Sequence, residues 1–104
     1  KMTIIKDNNK FKNGCWATTL VIHNDNFNKN KAINYFNNIG IPLRPFFNAL
    51  TTMPAYKKYE NKNIYNQNAH YLSHRGITLA SHYSTNKNQI KLISQTLKNF
   101  IKTI

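Results

Sequence analysis

The chain has 104 residues and a mass of 12.2 kDa, which is the size of one domain and excludes two independent cores or a whole two-domain enzyme. Hydrophobic residues make up 40% of the sequence, enough for a modest core, and no apolar run approaches the roughly 18 residues that would span a bilayer. The 15 Lys and Arg residues against three acidic ones give a net charge of +12, a balance typical of proteins that bind polyanions.

The distribution of the basic residues weakens that inference. The lysines occur singly or as the pair Lys57-Lys58, without a dense basic arm or a basic helix face, and only Arg44 and Arg75 are arginine. Asn, Lys and Ile are all abundant, as in a chain encoded by AT-rich DNA. Compositional drift and a functional basic surface both stay open, and neither a membrane nor nucleic acid is the expected partner.

Cysteine usage and the N-terminus indicate the compartment. The single cysteine, Cys15, excludes an internal disulfide and a cysteine-based zinc site. Nothing at the N-terminus pairs a basic stretch with the apolar region of a signal peptide. We therefore expect a cytoplasmic protein. The chain opens at Lys1 rather than at an initiator methionine, as a fragment of a longer protein would.

The first half of the chain predicts a strand, a helix and a second strand. The segment 16–23, WATTLVIH, is rich in β-branched residues and apolar on both faces, which is typical of a central strand. Apolar residues then recur at i, i+3, i+4 and i+7 across 32–39, so we expect an amphipathic helix that ends at Gly40. The two prolines of 41–47, IPLRPFF, indicate an extended edge strand.

The middle of the chain is less regular. Residues 48–63 have no clean period and are read as a binding loop with one helical turn. A short helix is expected over 67–75, with Ala69 and Leu72 directed inward, followed by a brief strand over 77–80.

The last segment predicts a long capped helix. Asn86 is a suitable N-cap, and Gln89 stands three residues later as its capping-box partner. A strand and helix order of this kind predicts an α+β domain, a two-layer α/β arrangement in which helices cover a small mixed sheet. The expected apolar stripe of the last helix consists of Ile90, Ile93, Leu97, Phe100, Ile101 and Ile104.

Candidate catalytic constellations are weak. His70 and His74 stand at a zinc-ligand spacing with His82 nearby, but no carboxylate or thiolate accompanies them, so no metal site is expected. Cys15 beside Trp16 is read as a small buried hydrophobe rather than a nucleophile. Three scattered acids and three glycines argue against paired-carboxylate hydrolysis and glycine-rich phosphate loops.

Arg44 stands out among the charged residues. It lies between Pro42 and Pro45 and is followed by two phenylalanines, so its backbone is stiff and its surroundings are aromatic. Two interpretations stay open. Arg44 either clamps a phosphate or carboxylate group of a ligand, or it pairs with a helix C-terminus or one of the few acids.

Three separated segments resemble one enzyme family. They are NGCWATTLVI at 13–22, GIPLRPFFNALTTMPAYKKY at 40–59 and NAHYLSHRGITLAS at 68–81. Their order and spacing are similar to those of the DegT/DnrJ/EryC1/StrS aminotransferases, and the RPFF form resembles the branch of perosamine synthetase-like enzymes. These enzymes use pyridoxal 5′-phosphate (PLP) to aminate keto sugars carried on nucleotides.

The resemblance implies that residues 1–104 are the C-terminal small domain of a fold-type I aminotransferase. The complete enzyme would transfer an amino group, with glutamate as the donor, to a keto-deoxy sugar nucleotide in amino-sugar or surface-polysaccharide synthesis. The family's homodimers carry the PLP lysine in a large domain that is absent here. We therefore expect no catalytic and no cofactor-binding residue in this chain, which alone would be inactive.

The resemblance also assigns substrate-side residues. Arg44 of the RPFF stretch would lie at the mouth of the active site, Trp16 near the sugar and Phe46 beside the substrate, where Phe46 and Phe47 would pack between domains. Exposed apolar residues should mark the surface that meets the large domain.

The chain departs from the family pattern at Cys15 and Asn48, where aromatic residues are usual, and at Ala80, where the family has proline. Two alternatives stay open beside the leading interpretation. One is a non-catalytic basic module that binds nucleic acid or another anion on the same fold. The other is a split gene product that complements a separate large domain.

Overall fold

The computed structural model describes residues 1–4, 6–59 and 66–104. Within these ranges the chain forms four short strands and three α-helices. The strands are β1 Met2–Ile4, β2 Thr19–Ile22, β3 Leu43–Pro45 and β4 Gly76–Leu79. The helices are α1 Lys29–Asn37, α2 Gln67–Arg75 and α3 Lys87–Ile101, with two 3-10 segments at Leu50–Thr52 and Pro54–Tyr59.

The strands form one sheet in the order β1-β2-β4-β3. All three pairings are antiparallel, so the expected mixed sheet is wrong in that detail, whereas the expected α+β class is confirmed. The central position of β2 and the edge position of β3 also agree with the sequence. Thr78 of β4 lies opposite Thr19 on one side and Arg44 on the other, which places these three residues in one row across the sheet.

Helices α1 and α3 cover one face of the sheet and enclose the core. The Asn28 side chain caps α1 by accepting a hydrogen bond from the Lys31 N–H at 3.0 Å. Ala32 and Phe36 of α1 are completely buried, as the expected stripe requires, but Ile39 is exposed because the helix ends before it. The core consists of Leu20, Ile22, Phe27, Ala32, Phe36, Ile41, Leu43, Ile77, Leu97 and Phe100.

The capping box of α3 forms as the sequence predicts. The Asn86 side chain accepts the Gln89 N–H at 3.0 Å, and the Gln89 side chain accepts the Asn86 N–H at 2.9 Å. Leu97 and Phe100 are buried against the sheet, whereas Ile90, at the start of the expected stripe, is exposed. The helix therefore packs through its C-terminal two turns.

Helix α2 has the expected bounds but not the expected inner face. Ala69 and Leu72 are exposed, and the buried residue is Ser73. Polar contacts determine this orientation, because the Lys29 Nζ donates to the Ser73 carbonyl at 2.8 Å and the Tyr71 hydroxyl lies 2.6 Å from the His23 Nδ1. The spacing of apolar residues in a sequence does not predict polar contacts of this kind.

The N-terminal strand β1 was not expected from the sequence. It pairs with β2 at the sheet edge, and the Thr3 hydroxyl lies 2.8 Å from the His23 Nε2. The strand β2 is shorter than predicted, because Trp16 lies before it and is exposed. Across the described ranges, none of the helices has the length and apolar character needed to cross a membrane.

Candidate functional site

A groove opens at the end of the sheet where β4 stops and β2 and β3 begin. It has a volume of about 420 Å³, within the range of about 300–1,000 Å³ that small-molecule sites occupy. Both aromatic and polar side chains line it. The lining residues that matter for the chemistry are Trp16, Arg44, Phe47, Thr78, His82 and Thr85.

Arg44 supplies the positive charge of this groove. Its neighbour Leu43 is buried in the core, and side chains alternate along a strand, so Arg44 projects from the opposite face of the sheet. Among the described residues, the Arg44 guanidinium makes no hydrogen bond and no ion pair. The interpretation in which Arg44 pairs with a described acid is therefore wrong, because Asp25 is held by Arg75 and the Asp7 carboxylate accepts the Asn13 N–H.

Two aromatic rings form one wall of the groove. The centroids of the Trp16 and Phe47 rings are 6.3 Å apart with an interplanar angle of 29°, which is a stacked arrangement. Trp16 is 79% exposed and Phe47 is 68% exposed. An exposed pair of large rings beside an unpaired guanidinium is suited to a ligand with both a flat apolar part and an anionic part.

Phe46 does not line the groove. It lies against Gly76 at the start of β4, where a β-carbon on the glycine would come within 2.6 Å of the Phe46 β-carbon. Its ring contacts the Phe47 ring edge-on at 5.6 Å. Phe46 therefore holds Phe47 in position, and only a residue without a side chain fits at position 76.

The turn that leads into α3 also lines the groove, through His82 and Thr85. The His82 N–H donates to the Thr85 hydroxyl at 2.9 Å, and the Thr85 N–H donates to the His82 carbonyl at 2.9 Å. The His82 Nδ1 lies 2.8 Å from the Ser84 hydroxyl oxygen and accepts the Ser84 N–H at 3.3 Å. These contacts hold the ring through Nδ1, and the His82 Nε2 makes no hydrogen bond among the described residues.

Sequence reasoning considered His82 only as a metal ligand. The sequence feature that could have indicated the position of His82 beside the groove is the run of Ser, His and Thr between the end of β4 and the helix cap at Asn86. Within the described part of the chain, no group of three potential metal ligands forms. The His70 Nε2 instead lies 2.8 Å from the Thr51 hydroxyl.

Cys15 precedes the aromatic wall and is exposed, so the expected burial of its side chain is wrong. Its φ of 49° lies in the left-handed region that residues other than glycine seldom adopt. The Cys15 N–H donates to the Asn13 Oδ1 at 2.9 Å, and this contact supports the turn. The turn carries the chain from the loop into Trp16.

The segment after β3 exposes a series of apolar side chains that continues from Phe47, the partner of Trp16. We call it the 47–59 face. Its exposed members include Leu50 at 61% and Tyr59 at 71%. Several exposed apolar side chains within one segment are typical of a surface that another protein surface covers. The 47–59 face comprises Phe47, Leu50, Met53, Tyr56 and Tyr59.

Comparison with known proteins agrees with this architecture. The family model of the DegT/DnrJ/EryC1/StrS aminotransferases matches residues 1–98, which is nearly the whole chain. The chain belongs to the DegT/DnrJ/EryC1/StrS aminotransferase family. The resemblance carried by the three sequence segments is thereby confirmed.

Two relatives show how much of a family member this chain represents. The GDP-perosamine synthase of Vibrio cholerae is 28% identical over 104 residues, which cover 99% of this chain and 28% of that protein. The E. coli GDP-4-keto-6-deoxy-D-mannose-3-dehydratase with bound hydrated PLP superposes with a TM-score of 0.72 at 19% identity, over 92% of this chain and 25% of that one. The similarity to the dehydratase shows only that the two chains share this fold. The chain spans little more than a quarter of either relative's length.

Within this member of the family, the three predicted substrate-side residues fall in different places. Arg44 and Trp16 line one groove, and Phe46 stands behind it as a support for Phe47. The structure adds His82 to the groove. The departure at Ala80 is part of the same lining, where the segment between β4 and α3 begins.

Proposed function

We propose that this chain is the C-terminal small domain of a PLP-dependent nucleotide-sugar aminotransferase and that its groove receives the nucleotide sugar. The complete enzyme would transfer an amino group from glutamate to a keto-deoxy sugar nucleotide, in amino-sugar or surface-polysaccharide synthesis. The observation that carries the proposal is the unpaired Arg44 guanidinium beside stacked aromatic rings, in a chain of this family.

In this proposal each side of the groove has its own task. Arg44 binds the diphosphate, since a guanidinium donates two parallel hydrogen bonds to phosphate oxygens. The rings of Trp16 and Phe47 stack on the nucleotide base, and the His82 Nε2 forms a hydrogen bond with a hydroxyl group of the ligand. Binding in this way orients the sugar toward the remainder of the enzyme.

The cofactor belongs elsewhere in the complete protein. PLP supplies the amino-group chemistry when it is bound, and it needs a lysine for its covalent attachment and polar groups for its ring. Among the described residues, the lining of the groove contains neither a lysine nor a carboxylate. The residues present here do not fit the cofactor, so no chemical step is assigned to this chain.

The large domain is the proposed partner of the 47–59 face. Exposed rings such as Phe47 and Tyr59 cost free energy in water and stabilise a complex once another surface covers them. The chain's share of its relative's length, 28%, leaves ample sequence for such a domain. We also propose that the complete enzyme is a homodimer, in which a second subunit completes the site.

Nucleotide binding by the 104-residue chain tests the groove directly. Titration with GDP, followed by calorimetry, should show saturable binding that Arg44→Gln weakens by about tenfold or more, as expected for a lost hydrogen bond to a charged group. Lys31→Gln removes an equally exposed positive charge from α1 and should leave the affinity close to that of the parent chain. Equal weakening by both substitutions would refute the role of Arg44.

The domain assignment has a separate test in the native protein. Intact mass and cofactor content should show a chain several times longer than 104 residues with one PLP per subunit. A native product of 104 residues without PLP would leave the groove as an anion site outside any aminotransferase.

A further inference from the structure

Helix α3 carries a basic face that the sequence analysis did not recognise. At about 100° per residue, positions 87, 91, 98 and 102 fall within an arc of about 60° on the helix surface. On the same count the buried Phe100 lies about 170° and the buried Leu97 about 110° from the middle of this arc, so the lysines point away from the core. We call this set the α3 lysine face, and it consists of Lys87, Lys91, Lys98 and Lys102.

These lysines have no structural task among the described residues. All four are exposed, and none of their ammonium groups makes a hydrogen bond or an ion pair in residues 1–4, 6–59 and 66–104. No acidic residue occurs in α3, so the charges are not balanced along the helix. The face extends over about 22 Å at about 1.5 Å per residue.

Lys87 in particular works against the stability of its own helix. It occupies the first turn, where the helix dipole and the free N–H groups favour negative charge, and the first turn has no acidic residue. A lysine at this position costs stability in the free protein. A partner that brings negative charge to the helix would remove that cost.

We propose that the α3 lysine face binds the phosphate backbone of a nucleic-acid duplex. A duplex offers one negative charge per about 1.7 Å along its axis, so a straight row of lysines of this length meets several phosphates at once. Lysine serves this contact as a point charge without base specificity. The surface is separate from the groove, and the inference does not depend on the proposed function.

The composition of the face favours a duplex over the other polyanions. Its neighbours Ser94 and Gln95 are polar, and no aromatic ring lies within the arc, so bases of a single strand find nothing to stack on. Amphipathic helices that bind bilayers bury an apolar face among the headgroups, whereas Leu97 and Phe100, the buried apolar residues of α3, are packed in the core beneath the sheet. Of the three polyanions, the phosphate backbone of a duplex therefore fits this face best.

Fluorescence anisotropy with a labelled duplex of random sequence tests this surface on the 104-residue chain. Four phosphate contacts predict that the logarithm of the affinity falls with a slope of about −3.6 against the logarithm of the salt concentration. Between about 50 and 200 mM salt, the affinity should therefore drop by about 10²-fold. Exchange of all four lysines of the face for glutamine should abolish most of this binding.

A matched variant separates the face from net charge. Glutamine at Lys6, Lys10, Lys12 and Lys57 removes the same number of exposed charges away from α3 and should keep the affinity and slope of the parent chain. Equal loss in both variants would overturn the proposal, as would absence of duplex binding by the parent chain. Tighter binding to a single strand, or binding to phosphatidylserine vesicles but not to duplex, would likewise overturn it. Circular dichroism confirms that each variant folds, since glutamine is nearly as good a helix former as lysine.

Discussion

The two arginines of this chain occupy opposite situations. Arg75, at the end of α2, donates to the Asn24 carbonyl, bonds the Asp25 carboxylate at 2.9 Å and lies over the Tyr71 ring at 5.7 Å. Arg44, on the edge strand β3, is exposed and has none of these partners among the described residues. One guanidinium joins α2 to the loop before α1, and the other faces a groove. The comparison teaches that the partners of a cation, rather than its charge, distinguish an arginine that holds the fold together from one that is free to meet a ligand.

Gly76 lies against both Leu72 of α2, the helix that ends at Arg75, and Phe46, which supports Phe47 at the groove. Its substitution should therefore disturb the surroundings of both arginines. A β-carbon there would lie 2.6 Å from the Phe46 β-carbon and 2.7 Å from the Leu72 carbonyl oxygen, so Gly76→Ala should destabilise the fold by about 1–3 kcal/mol. The displaced Phe46 should also shift Phe47 and weaken GDP binding. Urea unfolding and the GDP titration measure the two effects. Unchanged stability would contradict this prediction, because it would mean that α2 and the end of β3 can move apart at this contact without a cost in free energy.

Substitution of each arginine in turn sharpens the comparison. Arg75→Gln removes the bonds to Asn24 and Asp25 and should lower the free energy of unfolding by about 1–2 kcal/mol, whereas Arg44→Gln should change it by less than about 0.5 kcal/mol. The Asp25 carboxylate is fully exposed, so Asp25→Asn should destabilise the fold less than Arg75→Gln does and identify the carbonyl bond as the larger contribution. Urea denaturation of the three variants provides the measurement. Equal destabilisation by both arginine substitutions would contradict the distinction.

The smallest predicted effect concerns Lys87, which neither bonds to the fold as Arg75 does nor lines the groove as Arg44 does. Lys87→Glu places a negative charge in the first turn of α3 and should raise the free energy of unfolding by about 0.3–1 kcal/mol, by complementing the helix dipole. The same substitution should weaken duplex binding. Thermal unfolding at low salt detects the gain, and Lys98→Glu, in the last turns, serves as the control that should not stabilise the helix. A loss of stability at position 87 would show that this lysine has a partner in the fold.

Local signals in the sequence predicted local structure well. The Asn86 and Gln89 pair predicted the capping box because both of its hydrogen bonds lie within four residues. The Pro-bracketed Arg44 predicted an edge strand because proline cannot donate to a central ladder. The family resemblance added Trp16 and Arg44, which lie at one groove, and its assignment of them to a substrate stays a prediction.

Features that depend on distant contacts escaped prediction. The inner face of α2 is set by Lys29 and His23, which are more than 40 positions away from their partners in α2. Strand β1 has three exposed residues and forms only because β2 offers it an edge. The α3 lysine face was missed because lysines spaced by four and seven residues read as isolated charges until they are placed on a helix.

The pairing of β2 with β4 also determines when the protein can fold during synthesis. Thr19 and Thr78 are partners although 59 positions separate them, and the ordering of so long a loop opposes the pairing. Until β4 leaves the ribosome, β2 has only the short strand β1 beside it, and a two-stranded ribbon is marginal in water. A chain truncated before β4 should therefore remain open to proteases, and the sheet assembles only after about three quarters of these 104 residues have been made.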